Sequence, residues 1–174
     1  MFDNFKKRFR DAGTLKTLFE SADRHANHEG QTEPGAEHLV MAALELPDGT
    51  AGKTFERVGA RPDGFRDAVA QQYVEALRAV GIEPSAAAPL NGDPPVSSVK
   101  GAYRAQASAH DLVHKLTETK PFASALPLLG ADILIAATAG QHTIAARALR
   151  AMGVDPAALA AAARAEIAAY AEKS

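Results

Sequence analysis

Gly35-Ala36-Glu37-His38-Leu39-Val40-Met41-Ala42-Ala43 has a second copy in the same chain, Gly130-Ala131-Asp132-Ile133-Leu134-Ile135-Ala136-Ala137-Thr138. Each stretch opens on Gly-Ala, places an acid next and continues as an apolar run. The flanking residues recur as well. Ala51-Gly52-Lys53-Thr54-Phe55 is answered by Ala145-Ala146-Arg147-Ala148-Leu149, and Val58-Gly59-Ala60-Arg61-Pro62 by Met152-Gly153-Val154-Asp155-Pro156. An acid, a base, an apolar residue and a terminal Gly-x-x-Pro in one order mark a tandem repeat of one helical unit. In this register Gly35 pairs with Gly130, Glu37 with Asp132, Lys53 with Arg147 and Gly59 with Gly153.

Outward from the repeat, the chain reads as helix. β-Branched residues are sparse, and Ala, Leu, Glu and Arg dominate, a composition that favours helix. Thr14 is placed to cap a helix bearing Leu15, Leu18, Phe19 and Ala22, and Gly30 ends it. A mostly buried helix follows over 35–46, then a turn at Pro47-Asp48-Gly49 and a short helix over 50–58. Phe65, Val69, Tyr73, Leu77 and Val80 continue an amphipathic helix. Residues 81–98 hold Pro84, Pro89, Pro94, Pro95 and Gly92, and read as a mobile connector between the copies. Helix resumes near Val99 and runs to about Leu116. The second copy's helix pair lies over 130–138 and 141–152, and Asp155-Pro156 opens an Ala-rich last helix. The expected fold is all-α. Two similar helical repeats, about 14–80 and about 99–172, pack with pseudo-two-fold symmetry into a single domain over 1–174.

With 174 residues, 47 % of them hydrophobic, the chain is long enough to build a real core. A net charge of −2 excludes a general nucleic-acid binder, which carries a strong basic excess. There is no Cys, which excludes disulfides and thiolate metal sites. No apolar stretch approaches the roughly 20 residues of a membrane span. The opening Met1-Phe2-Asp3-Asn4-Phe5-Lys6-Lys7-Arg8-Phe9-Arg10 is basic but lacks the apolar centre of a secretory signal. Its Phe and Lys/Arg mixture allows contact with an anionic membrane. A short leading helix packing its Phe residues on the domain explains the same pattern.

The order Gly-x-Glu-His-Leu, a small-residue step carrying a base, Gly-Val, and an Asp-Pro or Arg-Pro helix start resembles the Clp N-terminal domain. That domain is the double-repeat helical module at the front of Clp/Hsp100 ATPases. Ala22, Ala26, Gly30, Gly35, Glu37 and His38 reproduce the family's spacing before Glu-His, and Met1-Phe2-x-x-Phe5 resembles its start. The second copy departs from the pattern, with Asp132-Ile133 in place of Glu-His. The chain ends at Ser174, shortly after the second copy, so a stand-alone domain or part of a longer protein is expected. The resemblance implies a cytoplasmic, non-enzymatic recognition module without a cofactor. It would dock substrates, adaptors or Clp ATPases, with no nucleic acid or membrane among its partners. In some relatives the module also binds phosphoarginine and cyclic peptides. The family's phosphoarginine contacts fall near the Glu of Gly-x-Glu-His, hence near Glu37.

Several constellations have two readings. Gly49-Thr50-Ala51-Gly52-Lys53-Thr54 ends like a phosphate-binding loop, but Pro47 stands where the motif needs Gly and no strand precedes it. An acid at a helix N-terminus, as Glu37 and Asp132 are expected to be, is stabilised by the macrodipole alone. The functional alternative is recognition of a basic or phosphorylated basic group by Gly35, Glu37, His38 and Lys53, with Asp132 and Arg147 as the second set. His110 with His114, and His25 with His28 and Glu29, have spacings that suit zinc but no further ligand in sequence. They support the alternative of a small metal-binding protein or enzyme. Leu39, Val40, Leu44, Leu134 and Ile135 read as core. A groove between the halves, lined or covered by Phe2 and Phe5, would offer an apolar face to a peptide.

Overall fold

Leu15, Leu18, Phe19, Ala22 and Ala26 recur at helical spacing, and the helix they define is longer than their pattern requires. In the computed structural model, which describes residues 2–82, 105–120 and 126–173 with side chains from residue 11 onward, α1 runs unbroken over Phe2–His28. Thr14 therefore lies inside α1 and is not its cap. The helix ends at Gly30, whose φ of 74 ° turns the chain away, and the Gln31 amide bonds back to the Ala26 carbonyl at 2.8 Å.

The first half continues with α2 (Ala36–Leu44), α3 (Thr50–Arg57) and α4 (Gly64–Ala79). The second half contains α5 (Ala107–Thr119), α6 (Gly130–Thr138), α7 (Ile144–Ala151) and α8 (Pro156–Ala171). All regular structure among the described residues is helical, and no described helix is long and apolar enough to cross a membrane. Where helix was expected from residue 99, α5 starts at Ala107, and 99–104 lie outside the described residues. The helix expected from 141 starts at Ile144, because the Thr143 hydroxyl caps it by accepting the Ala146 amide at 3.1 Å. Asp155 caps α8 as its Asp-Pro start leads one to expect, accepting from Ala158 at 2.8 Å. Of the expected connector, residues 81 and 82 close α4, and 83–98 fall outside the described residues.

The helices correct the register of the repeat. The shift that takes Gly59 to Gly153, both at φ 73 °, also takes Lys53 to Arg147, Phe55 to Leu149 and Thr50 to Ile144, the first residues of α3 and α7. It carries Gly35, which precedes α2, to Leu129, which precedes α6, and not to Gly130. Asp132 thus corresponds to His38, and Glu37 corresponds to Ala131. Gly130 is glycine for a different reason. A Cβ there would lie 2.8 Å from the Ala43 carbonyl oxygen and 2.9 Å from Ala51 Cβ, so the start of α6 sits directly against the backbone of the other half.

The halves share one core. α4 packs on α7, α8 packs on α3, and α2 packs on α6. Phe55 and Phe65 are fully buried and meet edge-to-face, centroids 5.9 Å apart. Each buried ring contributes about 1.5–3 kcal/mol, and Leu39, Ile133, Leu134, Leu149 and Leu159 are fully buried in the same core cluster. Arg57 on α3 donates to Glu166 on α8 at 2.8 Å, a polar tie between halves. One contact is unequal: α8 packs extensively on α6, while α4 touches α2 lightly. Glu37 and Tyr73 stand between α2 and α4, whereas Ala131 and Ile167 hold the corresponding positions in the second half.

Candidate functional site: a buried polar network and an apolar groove

Glu37 and His38 sit at the start of α2, and both are fully buried. The His38 ring turns back to cap its own helix, Nδ1 accepting the Gly35 amide at 2.8 Å. That leaves Nε2 to donate to Glu29 Oε2 at 3.1 Å. The Tyr73 hydroxyl, from α4, donates to Glu37 Oε1. Burial, and then the bond to Glu37, push the Tyr73 phenol above its ordinary range. Glu37 Oε2 is buried without a hydrogen-bond partner among the described residues. Its carboxylate folds back over Gly35, where a Cβ would stand 2.5 Å from Oε1. Gly35 is the residue that leaves room for this carboxylate.

The other expected site residues do not join this network. Lys53 on α3 and Arg147 on α7 are exposed, and neither has a bonded partner among the described residues. Asp132 is buried and accepts the Leu129 amide at 2.9 Å, the same N-terminal cap that His38 supplies in the first half. It also pairs with Lys120. Phe2 and Phe5 lie within α1, and their side chains are outside those described.

A second polar cluster joins α1, α2 and α4. Glu45 accepts from Ser21 and from Arg24, the latter at 3.4 Å, and His25 Nε2 lies 2.9 Å from its Oε1. Arg66 donates to His25 Nδ1 at 3.0 Å, while Nε2, though close to Glu45, is buried without an aligned hydrogen bond among the described residues. Burial lowers the His25 pKa, reinforced by the Arg66 charge and only partly offset by Glu45. At Glu45 burial pushes upward, but the Ser21 hydrogen bond and the charges of His25 and Arg24 outweigh it and hold the carboxyl below its usual range. His25 is thus committed to structure. His110 and His114 are exposed on α5. No three His, Asp or Glu among the described residues are grouped to hold a metal ion.

The open feature between the halves is apolar. Leu15 and Phe19 on α1 and Val113 and Leu116 on α5 line it together with Leu128, Asp11, Thr117 and Lys120, around a volume of about 160 Å³. Leu15, Phe19 and Val113 are only half-buried. The α1/α5 groove is made by the first helix of each half, and Asp11 braces it by accepting the Leu128 amide at 3.0 Å. Spacing revealed the apolar stripe of α1 but not its partner, since Val113, Leu116 and Leu128 come from the less regular second half.

The family model of the Clp repeat (R) N-terminal domain matches residues 13–119, from within α1 to the end of α5. The chain belongs to the Clp_N family. No curated protein matches the chain. Clp_N is a family of non-catalytic, substrate-binding domains, and such domains generally mediate interaction with substrates and adaptors. In that general sense this Clp_N chain is an interaction module of the Clp system. Its all-helical architecture fits the family, and both helices of the groove lie largely within the matched residues.

Proposed function

We propose that the chain is a non-enzymatic recognition module that holds an apolar segment of a substrate or adaptor protein in the α1/α5 groove. The observation that carries this reading is the apolar lining that two helices share, with Leu15 of α1 and Val113 of α5 half-buried in it. An amphipathic peptide would bury these side chains and its own apolar face together. The lining carries one acid and one base, Asp11 and Lys120, so shape and apolar contact would dominate over charge. The reading gives the groove, rather than the start of α2, the recognition role. Glu37 offers no accessible carboxylate for a guanidinium in this conformation, and Ala131 holds its place in the second half. Phosphoarginine titrated into the protein is accordingly expected to give no saturable binding.

The test is binding of a fluorescent, permanently unfolded protein to wild type, Val113→Glu and Lys53→Glu. Val113→Glu places a charge in the groove and should weaken binding by about tenfold or more, while Lys53→Glu should leave it near wild type. Equal binding by wild type and Val113→Glu, with both variants folded, would overturn the groove reading.

We further propose that 1–174 is one domain whose repeats are related by a pseudo-two-fold axis. The reciprocal packing of α4 on α7 and α8 on α3 supports it. Each half expressed alone should then fail to fold, and recovery of a cooperative melt from either would speak against a shared core.

A further inference from the structure

The halves differ in how they fill the space beside their second helix. In the first half Tyr73 occupies it and donates to Glu37. In the second half the corresponding residue is Ile167, and a pocket of about 390 Å³ remains beside it. Its walls include Leu126, Ile135 and Ile167, and Lys120, Asp132 and Arg164 also line it. The Lys120 and Asp132 side chains are each 10 % exposed and form an ion pair. Asp132 is further satisfied by the Leu129 amide at 2.9 Å. Lys120 donates to Asp132 and to the Pro127 carbonyl, and an ammonium has three donors. Arg164 is exposed, with no bonded partner among the described residues. The two bases exceed the one acid by a unit of positive charge, in a cavity with aliphatic walls.

We propose that this pocket binds a carboxylate carrying an aliphatic side chain, as presented by the free C-terminus of a polypeptide ending in Leu, Ile or Val. The Arg164 guanidinium takes the carboxylate in a bidentate pair, and the remaining Lys120 donor adds a charge-assisted bond. Leu126, Ile135 and Ile167 cover the aliphatic side chain. The Lys120–Asp132 pair forms the buried end of the pocket and is neutral as a pair, so the net positive charge that an added anion meets is that of Arg164 at the exposed end. A terminal amide has the same shape but lacks the charge that the two bases answer. The pocket is lined from α5, α6 and α8 and by Lys120 and Leu126; it shares Lys120 with the α1/α5 groove but none of Leu15, Phe19 and Val113. It stands or falls independently of the α1/α5 groove.

The test measures binding of a labelled hexapeptide ending in free Leu, and of the same peptide amidated, to the full chain by fluorescence anisotropy. The variants are Arg164→Ala, at an exposed position, and Ile167→Tyr, which inserts the filler of the first half. Lys120 is left intact because it lines both sites. Amidation and Arg164→Ala should each weaken binding by about tenfold or more, and Ile167→Tyr should remove it. Competition by 4-methylpentanoate would show that a free aliphatic acid suffices. A peptide that binds without such competition would show that the polypeptide terminus is needed. Equal affinity for acid and amide, wild-type affinity in a folded Ile167→Tyr, or no binding by wild type at millimolar peptide would each overturn the proposal. If Ile167→Tyr fails to melt cooperatively, the amide and Arg164→Ala comparisons decide.

Discussion

Asp48 caps a helix in the other half of the chain: its carboxylate oxygens lie 3.3 and 3.2 Å from the amide nitrogen of Gly130, at the start of α6. The same carboxylate accepts the Thr50 amide at 2.9 Å and the Thr50 hydroxyl, and Thr50 Oγ1 in turn accepts the Ala131 amide at 2.9 Å. One turn of the first repeat thereby satisfies two N-terminal amides of the second, groups left orphaned by helix geometry. A turn residue that looks local in sequence couples the two halves.

Replacing Asp48 by Ala should therefore cost more than replacing an ordinary cap. The loss frees donors in both halves and should reach about 1–2 kcal/mol. Asp155→Ala, which frees one exposed amide at the start of α8, should cost nearer to about 0.5–1 kcal/mol. Urea unfolding of the two variants checks the order, and an equal loss would show that the inter-half cap adds nothing.

Gly130→Ala and Gly13→Ala should move stability in opposite directions. At Gly130 the new methyl meets the Ala43 backbone oxygen and Ala51 and should cost about 1–3 kcal/mol. Gly13 lies within α1, and a Cβ there meets nothing within 4 Å. Its replacement should stabilise by up to about 1 kcal/mol. Thermal melts of the pair give the comparison.

The cluster of His25, Glu45, Arg24, Arg66 and Ser21 should make the protein acid-sensitive in two stages. The folded state holds His25 below its unfolded value, so the unfolded chain takes up the proton first, and stability falls as pH drops from about 6.5. Glu45 is held low in the fold, so its contribution is present above its unfolded value of about 4.3 and is lost as pH falls through that range. Melting temperature followed against pH should show both stages. In His25→Gln the upper stage should disappear while the lower one remains.

The fold was legible where pattern and cap chemistry agreed. Gly59 and Gly153 end equivalent helices, and Asp155-Pro156 starts one, because left-handed turns and proline each admit few residues. The repeat register was misread by one residue at Gly130. That glycine resembles Gly35 in sequence but answers a different need, close approach to Ala43 and Ala51 in place of room for the Glu37 carboxylate. The site was less legible. Glu37 beside a base pattern reads as a surface acid, and only the distant Tyr73 on α4 shows that its place is internal. Thr14 has cap chemistry, yet α1 continues through it because the residues before it also support helix. The groove needs Val113 and Phe19 to line one space, a long-range relation that no local period records.

The most direct test of the groove is a map of ligand contact by backbone amide shifts. An unphosphorylated amphipathic peptide is titrated into isotope-labelled protein. The account predicts shifts concentrated at Leu15, Phe19, Val113 and Leu116, with Gly35, Glu37 and His38 unmoved. Shifts centred on Gly35–His38, with the α1 and α5 residues silent, would contradict it.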